Sequence, residues 1–118
     1  MAAHNELGEM GESIAAKYLQ ENQYNILAQN YRCEKAEIDI ICLKANEIVF
    51  VEVKTRSSSY YDAPSAAVDA KKEELLKQAA LYFIEERQII AEPRFDIISI
   101  IIENNKMEME HIEDAFWG

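Results

Sequence analysis

The stretch from Glu37 to Arg56 leaves this chain few ways to fold. It reads Glu37-Ile-Asp-Ile-Ile-Cys-Leu, then Lys44-Ala-Asn-Glu47, then Ile48-Val-Phe-Val-Glu-Val-Lys-Thr55. Isoleucine, valine and phenylalanine dominate both arms and a polar break holding Asn46 separates them, which predicts a β-hairpin. A two-residue turn at Ala45-Asn46 and a four-residue turn over Lys44 to Glu47 give the same register. In it, Asp39 lies opposite Glu52 and Glu37 opposite Lys54. Side chains alternate between the faces of a strand, so these four groups converge on one face, together with Ile41 and Phe50.

Directly opposed residues have Cβ atoms roughly 5 Å apart, and like charges placed there repel. Asp39 facing Glu52 is therefore a destabilising choice unless a cation sits between them. Carboxylate oxygens suit a hard ion such as Mg²⁺, which takes one or two protein carboxylates and leaves its other positions to water and phosphate. Lys54, two residues beyond Glu52 on the same face, is placed to orient or deprotonate an attacking water. The bland alternative is a solvated face of ion pairs worth about 0 to 1 kcal/mol each. The apolar flanks Ile38, Ile40, Val51 and Val53 point instead to partial burial, where an unpaired carboxylate is costly.

Asp39, a gap of a dozen residues and then Glu52-Val53-Lys54 resembles the Asp…Glu-X-Lys core of the PD-(D/E)XK nuclease superfamily. With Phe50-Val-Glu-Val-Lys-Thr-Arg56 beside it, the chain is similar to the bacterial YraN family, predicted endonucleases related to archaeal Holliday-junction resolvases. Gly8-Glu-Met-Gly-Glu12 leading into Ala15-Ala-Lys-Tyr-Leu19, Asn30-Tyr-Arg32, a helix from Lys71, Arg94-Phe-Asp96 and Ala115-Phe116 extend the likeness over nearly the whole chain. Two positions depart from it. Ala36 stands where the family usually has Gly before Glu-Ile-Asp, and Ile38 where the superfamily has Pro before the Asp. The resemblance implies a restriction-endonuclease-like nuclease core, with Asp39 and Glu52 holding Mg²⁺, for which Mn²⁺ substitutes, and the Val53 carbonyl as a further ligand. Lys54 assists the water, and Glu12 supports the ion directly or through water.

A chain of 118 residues, 49% hydrophobic, is expected to form one globular domain spanning 1–118, of mixed α/β class with helices flanking a mixed sheet. The longest apolar run is too short for a membrane span, and Met1-Ala-Ala-His-Asn-Glu lacks a basic start with an apolar stretch. A cytoplasmic protein is expected. Cys33 and Cys42 form no CxxC pair, so reduced thiols are expected rather than a zinc site, with Cys42 packing as a small hydrophobe. The net charge of −10 has the wrong sign for a protein that grips phosphates. Residues 31–56, however, balance Arg32, Lys35, Lys44, Lys54 and Arg56 against Glu34, Glu37, Asp39, Glu47 and Glu52. The acid lies mostly outside the hairpin, and weak, salt-sensitive nucleic-acid affinity follows.

Leu7, Met10, Ile14, Tyr18 and Leu19 recur at helical spacing from about Asn5 to Asn22, with Glu12 on the margin of that apolar face. Gly8, Ala15 and Ala16 are small enough to let the helix approach the sheet. Tyr24 to Arg32 predicts a first strand with Ile26, Ala28 and Asn30 on one face and Leu27, Gln29 and Tyr31 on the other. Arg32 is left between a phosphate contact and an ion pair with Glu34 or Glu37. Thr55 to Pro64 reads as a loop in which Thr55 and Arg56 are candidate phosphate contacts and Tyr60 and Tyr61 candidate stacking groups. A helix follows with Asp69 as N-cap and Leu75, Leu76, Ala79, Ala80 and Phe83 buried, ending near Arg87. Lys71 in its first turn is a candidate contact to a nucleic-acid backbone. Arg94 to Ile102 and Lys106 to Ile112 read as strands. Asp96 is either a partner of Arg94 or a group behind the site, the structural role being favoured. Phe116 and Trp117 are expected to anchor the tail.

The function this reading supports is a metal-dependent endonuclease acting on branched or otherwise structured DNA. A non-catalytic nucleic-acid or protein-binding module that keeps the nuclease fold is the alternative, and a structural adaptor a third. A homodimer is expected, because resolving a symmetric junction needs two cuts and one chain offers one Asp39, Glu52, Lys54 set.

Overall fold

The computed structural model of the chain describes residues 6–57 and 69–116. In order the elements are α1 (Glu6–Glu21), β1 (Asn25–Cys33), β2 (Ala36–Lys44), β3 (Glu47–Arg56), α2 (Ala70–Arg87), β4 (Glu92–Glu103) and β5 (Lys106–Phe116). The five strands form one mixed sheet in the order β1-β2-β3-β4-β5. β1, β2 and β3 form an antiparallel meander, β3 and β4 pair in parallel across the crossover that contains α2, and β5 returns antiparallel. No helix among the described residues is long and apolar enough to cross a membrane.

Each helix covers one face. Leu76, Ala79, Ala80 and Phe83 of α2 pack on Ala36, Ile38, Ile41, Ile48, Phe50 and Phe95. Ala15 and Leu19 of α1 pack on Ile40, Cys42, Val49, Val51, Ile98 and Ile100. Asp69 caps α2 as its sequence predicts, accepting the Lys72 N–H through Oδ1 at 2.9 Å. Pro93, expected just ahead of β4, lies inside it. It pairs with Ile48 on one side, while β5 reaches no further than Phe95, so the N–H that proline lacks is not missed.

The hairpin register is the predicted one: Lys44 pairs with Glu47, Leu43 with Ile48 and Ile40 with Val51. Strand β1 runs Asn25–Cys33 and departs from strict alternation. Its register shifts between Ile26 and Ala28, so Ala28 joins Leu27 against the α2 side instead of Ile26 on the other. A second break follows at Asn30, which adopts a left-handed φ of 52°, a conformation asparagine tolerates. Asn30 lies between the pairs Gln29↔Ile40 and Tyr31↔Ile38, and so faces Asp39. Alternation is lost on the Asp39 side too, for Ile38 and Ile41 join one core cluster and Ile40 and Cys42 the other. β3 continues through Thr55 and Arg56, where the sequence suggested that a loop begins. Tyr60 and Tyr61 lie outside the described residues, as does Trp117. Phe116 stacks on Phe95 with centroids 4.5 Å apart, and β5 extends to it, beyond the Ile112 end expected from sequence.

Helix α1 approaches the sheet tightly at Gly11. A Cβ on Gly11 would lie 1.8 Å from Thr55 Oγ1 and 2.8 Å from Thr55 Cβ. Gly11→Ala gains about 1 kcal/mol of helix propensity, but forcing a β-branched neighbour out of the way costs about 1–3 kcal/mol. Thermal denaturation should show Gly11→Ala destabilised, and Gly11→Ala combined with Thr55→Ala should lose less than the two single changes added together. Strict additivity would mean that α1 and β3 are not in contact there.

Candidate active site

The antiparallel ladder between β2 and β3 stops at Ile40↔Val51, one step short of the two carboxylates. Beyond that point the Val53 N–H donates to Asp39 Oδ2 at 2.7 Å, so a side chain takes the place of a strand carbonyl and the two strands part. Leu7, Gly8 and Glu12 of α1, Lys35, Glu37, Asp39, Glu52, Val53, Lys54, Thr55 and Lys72 of α2 line a cleft of about 420 Å³ at this fork.

Glu52 has an 11% exposed side chain, and its Oε2 accepts from Lys72 Nζ at 2.7 Å. Its Oε1 is buried without a hydrogen-bond partner. Burial pushes the Asp39 carboxyl up to about 8, reinforced by the neighbouring Glu52 and opposed by the Val53 N–H. Burial likewise raises Glu52, against the pull of Lys72 and then Lys54. These are two acids held in a place that disfavours both negative charges, with one oxygen left unsatisfied. Such a donor set fits a divalent ion. Among the described residues no three His, Cys, Asp or Glu side chains are gathered to hold an ion on their own. A cation here would therefore rest on Asp39 and Glu52 and complete its shell from backbone or water.

The remaining expected residues divide between the cleft and its surroundings. Lys54 is exposed and lines the cleft. Glu12 lines it too, where its Oε1 accepts from Asn30 Nδ2 at 3.0 Å. Glu37 is on the wall and pairs at 3.6 Å with Arg32, whose side chain is 64% exposed. Thr55 touches the cleft but is pressed against Gly11. Arg56, expected to reach outward to phosphate, is instead buried between β3 and β4, donating to Ser99 Oγ at 3.1 Å. Lys71 is exposed outside the cleft, and its neighbour Lys72 is the lysine that enters it. The signal was present in the sequence: Lys72 stands four residues before Leu76 and seven before Ala79, extending the buried stripe of α2 toward its start.

Asp96 belongs to a separate network near the Glu47 end of the sheet. Arg94 donates to its two oxygens at 2.9 and 2.8 Å, His111 Nε2 lies 2.7 Å from Oδ2, and the Asp114 N–H donates to Oδ1 at 3.0 Å. Arg94 also bonds Tyr24 and Glu47, while Tyr18 Oη lies 2.8 Å from His111 Nδ1, tying α1 to β4 and β5. Burial alone would raise the Asp96 carboxyl, but the bonds from His111 and Arg94 hold it below its ordinary value. Cys42 packs against α1, and burial pushes its thiol up to about 12.

The profile of the family described as "Uncharacterised protein family UPF0102" matches residues 11–100, which include the whole fork and α2. A relative from Christiangramia forsetii is 44% identical, covering 99% of this chain and 98% of its own length. One from Geobacter metallireducens is 45% identical over 98% and 97%, and one from Bacteroides thetaiotaomicron 44% over 99% and 97%. Each is described as a UPF0102 protein. This chain belongs to the UPF0102 family. The likeness to YraN proteins seen in the sequence is borne out at that level, and the relatives' descriptions carry no activity.

The raised carboxyls have a measurable consequence for a UPF0102 chain without metal. Asp39 ionises at about 4 in the unfolded chain and near 8 in the folded one. Its contribution to stability is therefore whole below the unfolded value and is lost as pH rises through the folded one. Asp96 has the opposite sign and acts only at the acid end. With a chelator present, the melting temperature should fall between about pH 5 and about pH 8, and Asp39→Asn should flatten that fall. An equal slope in both proteins would show that Asp39 is not buried as described.

Proposed function

We propose that this chain is a metal-dependent endonuclease with a restriction-endonuclease-like core, hydrolysing phosphodiester bonds in branched or otherwise structured DNA. The observation that carries the reading is the fork itself. Two largely buried carboxylates from adjacent strands face an open cleft, one oxygen has no partner, and Lys54 stands at the rim. A packing motif has no need of so costly an arrangement, and its residues coincide with the Asp…Glu-X-Lys pattern.

In this reading Asp39 and Glu52 hold Mg²⁺ or Mn²⁺, with the Val53 carbonyl beside them. When bound, the ion supplies positive charge that polarises the phosphodiester and offsets the charge of the transition state. The Val53 N–H fixes the orientation of the Asp39 carboxylate, so the ligand geometry is set before substrate arrives. Lys54 Nζ, at the open side, donates a hydrogen bond that orients the attacking water and offsets the negative charge that grows on it as its proton passes to bulk water. Lys35 on the wall adds positive charge facing the phosphates. Glu12, oriented by Asn30, polarises water from the α1 side. Two cuts in a symmetric junction require two such sites, so the working unit is a homodimer.

A panel of labelled linear, flapped, forked and four-way DNAs, each with Mg²⁺, Mn²⁺ or EDTA, tests the reading. Cleavage should require the ion and favour branched substrates, and Lys54→Ala should lower it about 10²- to 10⁴-fold with the fold intact. Full cleavage by Lys54→Ala would remove that lysine from the mechanism. Retained DNA binding with no cleavage under any ion would favour a non-catalytic binding module, the alternative that the net charge of −10 suggests.

A further inference from the structure

Lys72 has a place in the site that the nuclease reading does not itself call for. It enters the cleft from the helix opposite the fork, and its ammonium lies 2.7 Å from Glu52 Oε2. It serves one oxygen of Glu52 and leaves the other buried and unpartnered. It also sits in the first turn of α2, where the helix dipole disfavours a cation. Its own N–H is engaged by the Asp69 cap at that same end. At 43% exposure its side chain has an open route to solvent, whereas the Glu52 side chain, at 11%, is largely cut off from the water that would solvate its charge.

We propose that Lys72 is the site's resident counter-ion: its ammonium occupies the place of the divalent cation in the metal-free protein and leaves Glu52 when the cation enters. The inference rests on the metal-site reading above. A largely buried carboxylate stays ionised only with a positive partner beside it, and lysine, a single flexible point charge, is suited to leave and return. Once displaced, Lys72 stays at the cleft wall and faces incoming phosphate, so metal entry and substrate capture are coupled through one side chain. Because cation and ammonium compete for Glu52, each weakens the other's hold by the same factor. Lys72 therefore lowers the affinity of the free protein for metal while keeping Glu52 from standing as a bare carboxylate.

The test is Mn²⁺ affinity by titration calorimetry, with no DNA present. Lys72→Met, which keeps the length of the side chain and removes its charge, should bind Mn²⁺ on the order of tenfold more tightly than wild type. It should also melt lower in chelator, and gain more from Mn²⁺ than wild type does. Lys72→Arg should stay near the wild-type affinity. Equal or weaker Mn²⁺ binding by Lys72→Met overturns the proposal while wild-type binding leaves the metal site standing; no Mn²⁺ uptake by wild type overturns both. Should Lys72→Met fail to fold, wild-type protein answers through amine acetylation. Lys72, measured against exposed Lys71, should react faster when Mn²⁺ is present, and an unchanged ratio overturns the proposal.

Discussion

The hydrogen bond from the Val53 N–H to the Asp39 carboxylate is the contact on which the candidate site depends. In an unbroken ladder that N–H would find a backbone carbonyl on β2, and the two strands would stay closed through Glu52 and Lys54. A carboxylate in its place ends the sheet pairing at Ile40↔Val51 while still satisfying the buried donor. The same bond holds one oxygen of Asp39 in a fixed direction. Opening the sheet and orienting the carboxylate are thus one event.

The cost of that opening is spread over the neighbouring elements. Asn30 absorbs the break on β1 through a left-handed backbone and at the same time orients Glu12. Gly11 lets α1 lie against Thr55, which brings Glu12 within reach of the fork. At the far end of the sheet, the fully satisfied Arg94 and Asp96 network fastens α1 to β4 and β5. A site that disfavours both of its acids is thus carried by a frame in which the buried Arg94 and Asp96 are paired.

Much of this was legible in the sequence because period and register are local properties. The hairpin text admits one register, so Asp39 and Glu52 had to meet whatever the turn length. The α2 cap at Asp69 and the approximate bounds of both helices followed from side-chain type and spacing. Two residues escaped although their signal was there, Gly11 four before Ala15 and Lys72 four before Leu76; a glycine and a lysine do not look like members of a buried stripe. Others had no local signal. That Arg56 turns inward to Ser99 depends on the parallel pairing of β3 with β4, a contact between segments 43 residues apart. The lost alternation at Asp39 depends on the backbone of Asn30 across the sheet. Such features belong to tertiary context, which overrides strand pattern.

The central claim is that the fork between β2 and β3 is a cation site formed by Asp39 and Glu52. Anomalous diffraction from crystals soaked in Mn²⁺ tests it most directly. The account predicts one dominant peak between the two carboxylates, with ligand distances of about 2.1 Å. Density free of any peak at the fork, with manganese bound elsewhere or not at all, would contradict it.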